Sequence, residues 1–60
     1  MLVIFKRFDN YAVTTEENYN AQIMDARKVT PCKDFTSPKE IIEYFSKYFG
    51  KNASDFLIKA

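Results

Sequence analysis

Two runs of consecutive apolar residues lie near the ends of the chain, and one strongly amphipathic segment lies between them. The first run, Leu2-Val3-Ile4-Phe5-Lys6-Arg7-Phe8, is rich in β-branched and aromatic side chains and predicts a strand over 2–8. Asp9-Asn10 follows. Both residues tolerate a positive φ, so the pair predicts a two-residue hairpin turn, with Tyr11-Ala12-Val13-Thr14 as the returning strand.

The amphipathic segment predicts a helix over 38–49. Ser37 stands at the N-cap, Pro38 at the first helical position, and Glu40 completes a Ser-x-x-Glu capping box. At about 100° per residue, Ile41, Ile42, Tyr44, Phe45, Tyr48 and Phe49 fall within an arc of about 160°. Lys39, Glu43, Ser46 and Lys47 take the other side, with Glu43 and Lys47 as an i,i+4 ion pair in the better orientation. Gly50 supplies the left-handed terminating residue. This face is expected to carry most of the stability, with Phe45→Ala costing about 3–5 kcal/mol.

Residues 15–29 admit two readings. For a helix, Thr14 stands three before Glu17 as a capping box, Glu16 and Glu17 fall in the first turn, and Arg27 and Lys28 in the last. Tyr19, Ile23 and Ala26 then share a face, and Pro31 stands just beyond the end. Against it, Met24 lies off that face, and Asn18 and Asn20 are poor helix formers. A strand would align Ala21, Ile23 and Val29, interrupted by Asp25 and Arg27. The local signals favour the helix. Residues 30–37 read as a loop, with Phe35 directed into the core. At the C-terminal end, Phe56-Leu57-Ile58 favours a strand. A short helix capped by Asn52, with Ala53, Phe56, Leu57 and Ala60 on one face, is the alternative.

These elements assemble into a single α+β domain over 1–60, in two layers: an N-terminal β-hairpin, one or two helices and a C-terminal strand. If 15–29 is extended, the order is three N-terminal strands, one helix and a final strand. Strands that are apolar at consecutive positions are strands buried on both faces. One or two helices are expected to cover only one face of so small a sheet. With Leu2 and Ile4 toward the helices, Val3 and Phe5 face away and require a cover from outside, either a second copy or a docked partner. Val3, Phe5, Tyr11 and Tyr44 are therefore the candidate protein interface. Tyr44 sits at the edge of the helical arc, where its ring can pack and its hydroxyl can reach water.

Composition narrows the chemistry. A chain of 60 residues buries only about 60% of its unfolded surface, so its core is marginal. It has one cysteine and no histidine, which removes an intrachain disulfide and the usual structural-zinc ligands. No metal, cofactor or catalytic residue is expected. General acid–base work most often uses histidine, and the carboxylates form no pattern of paired acids. Cys32, between Pro31 and Lys33, has no partner base or second thiol and reads as an ordinary loop or half-buried cysteine.

Nine basic and eight acidic side chains give a net charge of +1, which excludes a strongly basic nucleic-acid binder. Lys6, Arg7 and Phe8 nevertheless cluster on the hairpin, and Arg27 and Lys28 could join them. Cations beside stacking aromatics are how single strands are held on sheets. No stretch approaches the roughly 20 apolar residues of a membrane span, and Met1–Phe5 is too short for a signal-peptide core. A cytoplasmic protein is the expectation. The chain opens with Met and carries no tag, so a complete small gene product is expected. Its Lys, Asn, Ile, Tyr and Phe usage, with a single Gly, is that of an AT-rich genome and of the short accessory genes of phages and mobile elements. The expected function is a non-enzymatic protein–protein interaction module, an inhibitor or adaptor of a larger protein. A small nucleic-acid-binding protein using the basic, aromatic hairpin is the alternative.

Overall fold

The structure, a computed structural model, describes residues 1–59. The first apolar run becomes strand β1 (Leu2–Arg7) and pairs with β2 (Asn10–Thr15) as an antiparallel hairpin. A short helix α1 (Glu16–Asn20) leads through turns to β3 (Thr30–Cys32). Helix α2 (Pro38–Phe49), a 3-10 turn (Ala53–Asp55) and β4 (Phe56–Lys59) complete the chain. The sheet order is β3-β2-β1-β4, with β3 antiparallel to β2 and β4 parallel to β1. The α+β class holds, and Phe56-Leu57-Ile58 is a strand. Ala60, part of the helical alternative there, lies outside the described residues.

Strand alternation sends Leu2 and Ile4 to one face and Val3 and Phe5 to the other. On the first face, Ile4, Val13, Cys32 and Phe56 pack with Ile41 of α2, flanked by Leu2, Tyr11, Phe35, Ile42 and Phe45. On the second, Val3, Phe5, Ala12 and Val29 pack with Tyr19, Met24 and Leu57. Val3 has no exposed surface and Phe5 only 7%. The expectation that these two side chains need an external cover is therefore overturned. The chain covers them with its own residues 16–29, making a third layer.

That layer is neither the helix nor the strand expected over 15–29. Thr15, not Thr14, caps α1: its hydroxyl oxygen accepts the Asn18 N–H at 3.1 Å. Thr14 is instead a buried sheet residue, and its Oγ1 donates to the Lys28 carbonyl at 2.7 Å. The helix stops after five residues, as Asn18 and Asn20 are poor formers and Gln22 takes φ 59°. Asp25 then organises a turn, its Oδ1 accepting the Arg27 N–H at 2.9 Å and its carbonyl the Lys28 N–H at 2.9 Å. An irregular segment can bring Tyr19, Met24 and Val29 onto one surface, which no single helical or extended period would do. Phe5 and Tyr19 meet with ring centroids 5.4 Å apart. Within 30–37, Thr30–Cys32 is a strand and not loop. Pro31 is tolerated there because β3 is an edge.

The hairpin turn also differs. Arg7 pairs with Asn10, so the loop is Phe8-Asp9 and not Asp9-Asn10. A turn one residue later would set Val13 opposite Lys6. The observed register sets Val13 opposite Ile4 in the core, and burial outweighs turn preference. The consequence is strain. Phe8 adopts φ 58°, which a bulky residue rarely does, and its side chain is 91% exposed.

Helix α2 is capped as expected. Ser37 Oγ accepts the Glu40 N–H at 3.4 Å, and Gly50 ends the helix at φ 67°. The Glu40 carboxylate reaches one residue further than a standard box, accepting from the Thr36 N–H and hydroxyl. The apolar arc is only half used. Ile41 is fully buried, whereas Ile42 and Phe45 are half-buried and Tyr44, Tyr48 and Phe49 are exposed.

Two stability changes follow. Replacing Phe8 by glycine relieves the left-handed strain and removes no core contact, so chemical denaturation should show a gain of about 1 kcal/mol. Ile41→Ala should cost about 3 kcal/mol or more and exceed the loss from Phe45→Ala, while Tyr48→Ala should change stability by less than about 0.5 kcal/mol.

Candidate protein-binding surface

The unused half of the α2 arc forms a continuous aromatic surface. Positions four apart on a helix are neighbours, which brings Tyr44 to Tyr48 with centroids 4.7 Å apart and Phe45 to Phe49 at 5.3 Å. Phe45 also stands edge-on to the core ring of Phe56 at 5.7 Å, so the surface is anchored from below. Phe35, in the loop after β3, meets Tyr44 at 5.3 Å. The Lys47 ammonium lies 5.4 Å from the centre of the Tyr48 ring. Between α2 and the β3 loop runs an open groove of about 780 Å³, lined chiefly by Leu2, Pro31, Phe35, Tyr44, Phe45 and Phe49. Asp34 and Lys51 are the charged side chains on its lining.

This arrangement offers apolar contact with a polar margin. Among the described residues no group of three or more His, Cys, Asp or Glu side chains could hold a metal ion. No helix among them is long and apolar enough to cross a membrane. Cys32 also lines the groove, but its side chain is buried and its thiol points to the Thr30 carbonyl at 3.7 Å. Burial pushes that thiol above the usual thiol range, which disfavours the reactive thiolate.

The expected site residues part company in three dimensions. Val3 and Phe5 are buried beneath the 16–29 layer and are unavailable to a partner in this fold. Tyr11 is half-buried on the α2 side, with the Lys6 ammonium 5.9 Å from its ring centre. Tyr44 alone of the four joins the exposed aromatic surface, at 41% exposure. The basic set is divided as well. Lys6, Arg7 and Phe8 lie at the hairpin tip, where Lys33 joins Arg7 and Phe8 around a small hollow. Lys28 is held by Thr14, four positions along β2 from the tip residue Asn10 and so about 13 Å away. Arg27 stays with it through the turn at Asp25.

Tyr48, Phe49 and Phe35 were not assigned to a site from the sequence. The available signal was the arc of about 160°, wider than the roughly 100° stripe that packing on one surface requires. Comparison of the chain with protein-family models, with curated proteins and with solved structures finds no match in any of the three.

The buried thiol generates a prediction. A thiol whose folded pKa is raised contributes stability that is complete below the unfolded pKa, about 8.5, and is lost as pH rises through the folded value. Urea midpoints should therefore fall between pH 8 and 9.5 more steeply for the parent than for Cys32→Ala. A disulfide reagent at neutral pH should label Cys32 slowly in the folded protein and rapidly in urea.

Proposed function

We propose that this chain is a non-enzymatic protein-interaction module that takes an apolar segment of a partner protein into the groove between α2 and the β3 loop. The observation that carries this reading is the exposure of Phe49, 60%, and Tyr44, 41%, both on the groove wall, with Tyr48 exposed beside Tyr44 at its rim. Aromatic residues are enriched in interfaces because a rigid ring gives much contact area for little lost side-chain freedom. The partner segment presents one or two bulky apolar side chains to the groove and polar groups to Asp34 and Lys51. A small accessory protein of a phage or mobile element, acting in the cytoplasm as inhibitor or adaptor of a larger protein, is the setting this reading favours.

The test is site-specific photo-crosslinking in the native host from position 48, with position 39 on the opposite helix face as control. A protein captured only from position 48 is then purified and titrated. Tyr48→Ser and Phe49→Ser should each weaken its binding by tenfold or more while leaving the circular dichroism melt unchanged. Undiminished binding by both variants would overturn the reading.

A second reading rests on Phe8, whose backbone is strained and whose exposed ring sits beside Arg7 and Lys33. A ring so placed can stack on an unpaired base while the cations meet phosphates. Fluorescence anisotropy with a labelled single-stranded oligonucleotide at low ionic strength tests it. Binding that Phe8→Ser removes would support it, and no binding by the parent would exclude it.

A further inference from the structure

The two edges of the sheet are protected unequally. The β3 edge is three residues long and carries Pro31, two devices that discourage a further strand. The β4 edge, Phe56–Lys59, has no proline and no bulge. Among the described residues, the backbone of 57–59 makes no hydrogen bond beyond its pairing with β1. Ile58, at 52% exposure, is a large aliphatic side chain left open beside the buried Phe56.

We propose that β4 pairs antiparallel with β4 of a second copy, about a two-fold axis through Leu57. The register follows from the side chains. A two-fold axis perpendicular to a continuous sheet must pass through a residue, because opposed residues share a face. At Leu57 it sets Leu57 against the partner copy's same residue, Phe56 against Ile58, and Asp55 against Lys59. Every apolar side chain then meets an apolar one, and each carboxylate meets an ammonium, twice over by symmetry. An axis at Phe56 would oppose Ser54 to Ile58 and Asp55 to Leu57. An axis at Ile58 would oppose Leu57 to Lys59. Asp55 stands in the turn that leads into β4, where its Oδ2 accepts the Asn52 N–H at 2.8 Å and its Oδ1 has no partner among the described residues. The product is an eight-stranded sheet with both α2 grooves left open. Five opposed positions make a small interface, so the dimer is reversible and grows with concentration. This pairing does not depend on what the groove binds.

Sedimentation of the full chain over a concentration series tests the pairing. A monomer–dimer equilibrium is expected, with Lys59→Glu lowering the association constant about five- to tenfold, as two attractive cross-strand pairs become repulsive. Lys59 is exposed, so this variant keeps the fold, checked by circular dichroism. A second measurement uses Leu57→Cys. Opposed Cα atoms in an antiparallel pair lie about 4.5–5.5 Å apart, within disulfide reach, so mild oxidation should yield a covalent dimer that Tyr48→Cys does not. A parent that stays monomeric at millimolar concentration overturns the proposal. So does a dimer that Lys59→Glu leaves intact and Phe49→Ser abolishes, which would place self-association on α2.

Discussion

Everything in this fold depends on β1 being dry on both faces. Val3, Ile4 and Phe5 are consecutive, apolar and buried, so the sheet must be covered above and below. A chain of 60 residues has little length to spend on two covers. It solves this unequally. One cover is a regular helix of twelve residues that packs through Ile41, Ile42 and Phe45. The other is a five-residue helix and a set of turns, pinned where Thr14 donates to the Lys28 carbonyl and where Tyr19 meets Phe5. An irregular cover can place a tyrosine, a methionine and a valine on one face without obeying a single period. It also leaves few regular backbone hydrogen bonds, so this side should open first in native-state hydrogen exchange.

The same constraint fixes the hairpin. Matching Val13 to Ile4 in the core sets the register, and the register leaves Phe8 to take the left-handed position in the turn. A phenylalanine there is a local conflict that the global packing overrides. Sequences are mostly consistent across levels, and their exceptions gather at strained or functional sites. Phe8 meets that description, with its ring in solvent and cations beside it.

The longer regular elements were legible in the chain, whereas the three-residue edge strand β3 and the irregular cover over 16–29 were not. Ser37, Pro38 and Gly50 bracket α2 with the local chemistry that helix ends need, and those signals act within a turn of one another. The Phe56-Leu57-Ile58 strand and the hairpin partners were equally local. What stayed hidden was non-local. The helical signals of 15–29 hold only around Thr15, because a contact with the far side of the sheet outweighs the rest. Val3 and Phe5 were rightly read as facing away from α2, but the inference that nothing in the chain could reach them failed, since a cover need not be a regular element. Tyr48 and Phe49 share the apolar arc with the buried Ile41 and are nevertheless exposed, because amphipathicity shows which side of a helix is apolar and not how much of its length a small sheet can cover.

That last distinction determines where this protein has surface to offer. Once the sheet faces are closed by the chain itself, apolar surface remains outside on the distal half of α2, at the hairpin tip and along the β4 edge. They differ in kind. The aromatic face of α2 is wide and rigid and has a charged margin, which suits side-chain recognition. The tip presents one ring and a few cations. The β4 edge presents backbone groups, whose hydrogen bonds are strong but indifferent to sequence, so only the neighbouring side chains can choose the occupant. Around Leu57 those side chains are ordered so that the strand is complementary to itself. A four-residue edge alone gives little affinity, but a symmetric pairing doubles each favourable contact and places two α2 grooves on one rigid sheet. A partner with two apolar segments would then bind the second at a raised effective concentration. The proposed self-pairing along the edge and the proposed partner recognition on the helix are in this way complementary uses of the surface left over after β1 is covered.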